Sequence, residues 1–330
     1  MDNKKRIVVV GLGSIGRRHA RLLKERNDVA VELFELDTEA IAGALKEIGD
    51  IPVHNSFDGM LATRPYAVVI ATPHKLHAEQ TIRSLEAETH VFCEKPMSDN
   101  LCDAKRMQEA AEKAGKILAI GFQLHFHPGL MRLKSLLQEQ IIGNVLHTHV
   151  RVGTYITLVN SKSRYQRRQH GALLFDYAHQ PDILYWLLGD KPTAVYASAI
   201  EGGELEFSSN PNVVAITCEY NSLLLSTIHL NYVQMPERHE YEIIGDKGWI
   251  VLNCNESYLK IALAADGQIR TEFFTVDRDA LYRSEHTAFL DAAEGRRSPE
   301  SSANDGLVSV AVCQAAFNSW KNGQCEKVAI

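Results

Sequence analysis

An α/β fold followed by an α+β half is predicted by three observations. The opening third of the chain alternates short all-apolar runs with helical stretches. A glycine-rich turn follows the first of those runs. From about residue 123 the continuous apolar runs give way to alternation. Continuous apolar strands separated by helices mean a parallel sheet covered on both faces. Alternation means an antiparallel sheet with one face covered. A length of 330 residues at 45% hydrophobic suits two domains better than three. The composition change divides them at 1–122 and 123–330.

In the first domain the expected strands are Ile7–Val10, Val31–Phe34, Ala67–Ile70, His90–Cys93 and Ile117–Phe122. The expected helices are Ile15–Lys24, Thr38–Ile48, Lys75–Glu86 and Asp99–Ala114. Asp37 or Thr38 suits the cap of the second helix. The other domain opens on a helix from Pro128, a residue that fits a first helical turn, to about Gln140. Strands follow at 145–155, 194–200, 213–220, 223–232, 241–244, 249–252, 258–262 and 268–276. The stretches ITCEYNSLLLSTIHLNY and YEIIGDKGWIVLN read as hairpins, turning at Asn221-Ser222 and Gly245–Gly248. One long helix, Leu173–Leu188, interrupts the strands, and helices near Glu285–Ala293 and Asp305–Lys321 close the chain. This half is α+β with an open, mainly antiparallel sheet.

The bulk numbers exclude several roles. A net charge of −6 implies no basic surface, so nucleic acid is not an expected partner. No apolar run approaches the roughly 20 residues that cross a membrane. The N-terminus MDNKKRIVVVGLG lacks a small-residue cleavage site and is not a signal peptide. Six cysteines without a CxxC pair read as free, buried thiols of a cytoplasmic protein. His147 and His149 share a face of a strand, but no third ligand accompanies them, so no metal site is expected.

GLGSIG, residues Gly11 to Gly16, sits between the first strand and its helix. Gly11, Gly13 and Gly16 fit GxGxxG: a tight turn, close approach to a pyrophosphate, and close helix–strand packing. With Ser14 and Ile15 they place a helix N-terminus at the phosphates. Glu35 ends the second strand, where a carboxylate holds the ribose hydroxyls of NAD and repels the 2′-phosphate of NADP. Arg17 and Arg18 suit either the pyrophosphate or solvent. The first domain is therefore a Rossmann dinucleotide-binding domain, with NAD favoured. Thr72, Pro73 and His77 follow the third strand, over the expected cofactor crevice.

FCEKPMS, Phe92 to Ser98, ends another strand, at the edge where open α/β sheets place their ligands. Lys95 there is suited to a proton transfer, if its ordinary pKa of about 10.4 is lowered, or to stabilising an alkoxide as a cation. Pro96 restricts the backbone beside it. Glu94 suits either a pair with Lys95 or a contact to the cofactor.

Five stretches together resemble the Gfo/Idh/MocA oxidoreductases over essentially the whole chain. They are VVVGLGSIGRRHA, VVIATPHKLHAEQ, VFCEKPMS, GFQLHFHP and GALLFDYAHQPDILYWLLG. The resemblance implies that Lys95 is an active-site residue beside the nicotinamide and that His179 is the general acid/base. A histidine suits that task. Asp176 lies three residues before His179, sharing a face if both are on one helix. It is expected to orient the imidazole or bind a substrate hydroxyl. Many members carry this acid four before the histidine; a subset tied to surface-sugar metabolism uses three. Pro181 is expected to kink the helix. His125 stands where relatives often carry arginine, so a bidentate fork is lost. Lys162 to His170 form a basic loop suited to solvent or to an acidic sugar. Asn231, Tyr232 and Arg238–Glu240 lie on or beside an inner strand, near enough in pattern to meet a substrate.

The implied reaction moves a hydride to or from a secondary alcohol carbon of a sugar, sugar acid or cyclitol, with NAD as cofactor. The implied assembly is a homodimer or homotetramer, formed through an uncovered apolar sheet face. Two alternatives stand: an NAD-recycling glycoside hydrolase of the same fold, and a nucleotide-sensing protein without turnover.

Overall fold

The computed structural model describes residues 4–161 and 165–330. Lys162, Ser163 and Arg164 of the basic loop lie outside the described residues, as do residues 1–3 of the N-terminal stretch. The chain forms two compact units, 1–123 with 277–307, and 124–276 with 308–330. This division is discontinuous, unlike the division at 122 read from composition, because a helical segment returns to the first unit. Composition cannot reveal such a return.

The first unit is a six-stranded parallel sheet. Its strands are β1 (Lys5–Val10), β2 (Val29–Phe34), β3 (Val53–His54), β4 (Ala67–Ile70), β5 (His90–Glu94) and β6 (Leu118–Gly121). Their order, β3-β2-β1-β4-β5-β6, reverses between β1 and β4. A crevice opens beyond the carboxyl ends at such a reversal. Val8, Val9, Val10 and the whole of β4 are buried, as a sheet covered on both faces requires. Helices α1 (Ser14–Lys24), α2 (Thr38–Ile48), α3 (Phe57–Ala62), α4 (His74–Glu86) and α5 (Leu101–Ala114) connect the strands. Asp37 caps α2 by accepting from Glu39 and Ala40, and Asn100 caps α5 by accepting from Asp103 at 2.8 Å. The pair β3 and α3 was not expected; two residues are too few to show a strand period. The returning helix Arg278–Ala293 packs on α1 and adds Phe289 and Leu290 to the core. Beyond it, Ser301 donates to the Ile120 carbonyl on β6 at 2.5 Å.

The second unit is built on a nine-stranded sheet. Its strands are β7 (Val145–Gly153), β8 (Ala194–Ile200), β9 (Val213–Glu219), β10 (Leu225–Asn231), β11 (Arg238–Gly245), β12 (Gly248–Asn253), β13 (Tyr258–Leu263), β14 (Ile269–Phe273) and β15 (Glu326–Lys327). Their order is β14-β13-β12-β11-β7-β10-β9-β8-β15, and only β7 and β10 pair in parallel. Both expected hairpins, β9–β10 and β11–β12, are present. One face is buried through Thr148, Val150 and Val152, and their counterparts on neighbouring strands. The other face is mixed rather than uniformly apolar. It carries His147, His149, Arg151, Thr227 and His229 beside Tyr196, Ile200 and Leu225. The expectation of buried cysteines holds for Cys93, Cys218 and Cys313 but not for Cys102 and Cys325, which are exposed. Among the described residues no helix is long and apolar enough to cross a membrane.

The expected long helix 173–188 is two helices, Ala172–Asp176 and His179–Leu188. Pro181 does not kink a continuous helix. It occupies the third position of the second one, where a backbone N–H has no intrahelical partner to lose. His125 and Asp182 are both fully buried, meet at 2.9 Å, and the imidazole stacks on Trp186 at 4.6 Å. Histidine at this position is thus matched to an internal acid. His125→Leu leaves the Asp182 carboxylate buried without that partner. The expected loss is about 3–5 kcal/mol of unfolding free energy in urea titration. A loss within experimental error would refute the pairing.

Candidate active site

The glycine turn is shaped by what surrounds it. Gly11 has φ +91°, and a Cβ there would lie 2.7 Å from the Ala71 carbonyl oxygen. At Gly16 a Cβ would lie 1.8 Å from the Gly11 carbonyl oxygen, so α1 presses on the turn. At Gly13 a Cβ would meet no protein atom within 4 Å, so glycine is not needed there for the fold. Gly13 is also the N-cap of α1, and no side chain caps that end. The first amides of α1, including those near Ser14 and Ile15, are left for an anion. This open cradle at a helix N-terminus fits the pyrophosphate of a dinucleotide.

Glu35 follows β2, and its carboxylate is already oriented. Oε2 accepts from the Leu12 amide at 2.9 Å; Oε1 accepts from Leu36 and Asp37 at 2.7 and 3.1 Å. The remaining lone pairs suit two ribose hydroxyls. The sequence did not reveal the Leu12 contact, since it depends on backbone direction at the turn. Arg17 and Arg18 are ion-paired with Glu47 at 3.5 Å and Asp279 at 3.3 Å.

Beyond β4, the Thr72 hydroxyl donates to Gln80 at 2.6 Å, and Pro73 caps α4. The His77 ring is fully buried, with Nε2 2.8 Å from the Thr72 carbonyl and Nδ1 2.9 Å from the Pro96 carbonyl. It therefore stitches the end of β4 to the turn after β5. Burial pushes this imidazole down, against the two carbonyls that favour the charged form. Its neighbour His74 is pushed down to about 3 by burial, then by His77 and the Lys95 charge. Lys95 thus sits close enough for its charge to be felt at the start of α4.

Glu94 ends β5 with its side chain turned inward. Its Oε2 accepts the Lys95 amide at 3.1 Å and its Oε1 meets His19 Nε2 at 2.8 Å. Beside the two roles expected of Glu94, a pair with Lys95 or a cofactor contact, the carboxylate has an internal one that fixes the Lys95 amide.

In the second unit, Asp176 ends one short helix and His179 begins the next. The hydroxyls of Tyr165 and Tyr232 both donate to the Asp176 carboxylate, and Gln166 Nε2 donates to Oδ2 at 3.3 Å. Burial, then the Asp176 charge, pushes both phenols up, so they remain donors. His179 is 8% exposed. The bend between the helices is held by Ser309, which donates to the Ala178 carbonyl at 2.6 Å. Asp176 and His179 are thus neighbours across a bend, not on one helical face. Tyr232 is brought to Asp176, whereas Asn231 caps a turn through Val233 and Gln234. A cavity of about 570 Å³ adjoins Gln166 and is lined by Arg167, Arg168 and Glu206. Among the described residues no group of three or more His, Cys, Asp or Glu could hold a metal ion.

A profile of the "Oxidoreductase family, NAD-binding Rossmann fold" matches residues 5–122. A second, the "GFO/IDH/MocA C-terminal domain", matches residues 130–251. The chain is 27% identical over 332 residues to the myo-inositol 2-dehydrogenase of Thermotoga maritima, covering 98% of each chain. It is 27% identical over 256 residues to the 2,7-anhydro-N-acetylneuraminate hydratase of Escherichia coli, covering 76% of this chain and 68% of that one. Levoglucosan dehydrogenase in complex with NADH and levoglucosan superposes with a TM-score of 0.87 at 19% identity, covering 99% of this chain and 100% of that one. That likeness speaks to the fold. With both family profiles matched in order, the chain is an NAD-dependent oxidoreductase of the Gfo/Idh/MocA family.

Proposed function

We propose that the protein oxidises or reduces a secondary alcohol carbon of a sugar, sugar acid or cyclitol. The observation that carries this reading is Lys95 just after β5, its amide held by Glu94 and the carbonyl of the neighbouring Pro96 held by His77. NAD, when bound, supplies the hydride acceptor or donor. Gly11, Gly13, Ser14, Ile15 and Gly16 bind its pyrophosphate, and Glu35 its ribose. Thr72, Pro73 and His77 shape the crevice around it. The Lys95 ammonium stabilises negative charge on the substrate oxygen. His179 exchanges the hydroxyl proton at an imidazole nitrogen. Asp176, locked by two phenols, accepts from a second hydroxyl and sets substrate orientation.

The myo-inositol dehydrogenase likeness supports a polyhydroxylated substrate. Arg167 and Arg168 on the cavity beside Gln166 put sugar acids first in the panel to be tried. A second reading is favoured by the likeness to a hydratase. Net addition of water leaves the cofactor's redox state unchanged, so such a protein would recycle its NAD. The reading implies a cytoplasmic protein, and an assembly of two or four copies through the mixed sheet face.

The test is a panel of cyclitols, sugars and sugar acids with NAD, followed at the NADH absorbance. At least one is expected to reduce NAD. Lys95→Met should then lower kcat by about 10²-fold or more, with NADH affinity retained. Equal turnover in this variant would refute the catalytic role. If no substrate reduces NAD and mass spectrometry finds stoichiometric nucleotide in the purified protein, the recycling reading replaces the first. Gly13→Ala should keep the melting temperature, since its Cβ meets no protein atom, yet weaken NADH binding about tenfold, or about 1.4 kcal/mol. Unchanged binding would remove the pyrophosphate from this turn.

A further inference from the structure

Beneath the Lys95 turn lies a cluster of ionisable groups that the proposed reaction does not use. His19 on α1 is fully buried. Its Nε2 is 2.8 Å from Glu94 Oε1, and its Nδ1 is 2.7 Å from His286 Nε2. His286 and Glu285, on the returning helix Arg278–Ala293, are 1% and 2% exposed. Tyr282 and Phe92 close the pocket, with ring centres 5.4 and 5.3 Å from that of His19.

His19 Nε2 and a Glu94 carboxyl oxygen share one hydrogen bond, and His19 Nδ1 and His286 Nε2 share the next. His286 Nδ1 has no hydrogen-bond partner among the described residues. Burial, with His19 and Arg26, holds His286 well down, which keeps it neutral. Glu285 has neither carboxyl oxygen partnered among the described residues. Burial and the Glu94 charge push it well up, so it stays protonated. His19 is thus the side chain of the cluster that meets the Glu94 carboxyl group.

We propose that His19 is a positioning residue for Lys95: it anchors the Glu94 carboxylate, whose other oxygen holds the Lys95 amide. The packing leaves Glu94 little alternative. A Cβ at Gly121 would lie 3.0 Å from the Glu94 carboxyl carbon, so glycine there makes room for the side chain. The same helix carries Gly16 at the cofactor cradle and His19 at the Lys95 turn, one turn apart. One rigid element thus sets both the pyrophosphate turn and the lysine. The inference rests on the reading of Lys95 as catalytic only for its consequence in turnover, not for its geometry.

The test compares His19→Gln with His19→Asn in the full chain saturated with NADH. Glutamine carries an N–H near the Nε2 position and reaches Glu94; asparagine reproduces only the Nδ1 side, facing His286. Lysines are reductively methylated with ¹³C, and the Lys95 signal is assigned by its loss in Lys95→Arg. The signal is expected at its wild-type position in His19→Gln, and shifted or split in His19→Asn. An unmoved signal in His19→Asn overturns the proposal. An equal change in both variants also overturns it, since it would mark general loosening. Should His19→Asn not fold, His19→Phe takes its place, with the same expectation and the same overturning result. The readout needs no substrate, so failure of the sugar panel would leave it intact.

Discussion

The geometry of the first unit depends on one close contact. Gly16 on α1 lies so near the Gly11 carbonyl that no side chain fits between them. Gly11 in turn lies against Ala71 at the end of β4. Helix, first turn and the connection after β4 are thereby locked together at the point where the strand order reverses. Everything useful in this unit hangs from that lock. It aims the uncapped end of α1, brings the Leu12 amide to Glu35, and sets the depth at which His19 enters the core.

Two further contacts hold the turn that carries Lys95. Its amide is held by Glu94, and the carbonyl of Pro96 next to it is held by His77. Both anchors are buried side chains on different elements, β5 and α4. A lysine has a long flexible stem and a large rotamer entropy. Fixing the backbone at two neighbouring points removes one source of freedom.

Much of this was legible in the sequence, because its causes are local. The strands of the first unit are continuous apolar runs, and Ala67–Ile70 and Thr38–Ile48 have the expected bounds. The glycine turn, Glu35 and the EKP turn announce themselves by spacing. What was not legible depends on contacts distant in sequence. His77 reads as a residue over the crevice, yet its ring serves two backbone carbonyls. Glu285 and His286 were not singled out in the sequence, because the helix that carries them belongs to the first unit only through contacts distant in sequence. The Tyr165 and Tyr232 hydroxyls reach Asp176 from 11 and 56 residues away. No local pattern encodes either.

The second unit uses a different strategy to place Asp176 and His179. A continuous helix over 173–188 would have fixed Asp176 and His179 by the helical period alone. The chain instead breaks at Tyr177-Ala178, and Pro181 suits the restart because its missing N–H falls in the first turn. Breaking a helix leaves carbonyls without intrahelical partners. The Cys313 thiol donates to the Leu174 carbonyl at 3.3 Å, and Ser309 adds a second donor to the Ala178 carbonyl, which also accepts the Asp182 amide at 3.4 Å. Both side chains come from the last helix of the chain, one turn apart. The last helix thus contributes two of the contacts that hold the bend. Asp176 and His179 are thus set independently, Asp176 by its phenol donors and His179 by the restart. The angle between them is then free of the fixed increment a single helix would impose, so a spacing of three residues need not give the geometry that a helix with that spacing would.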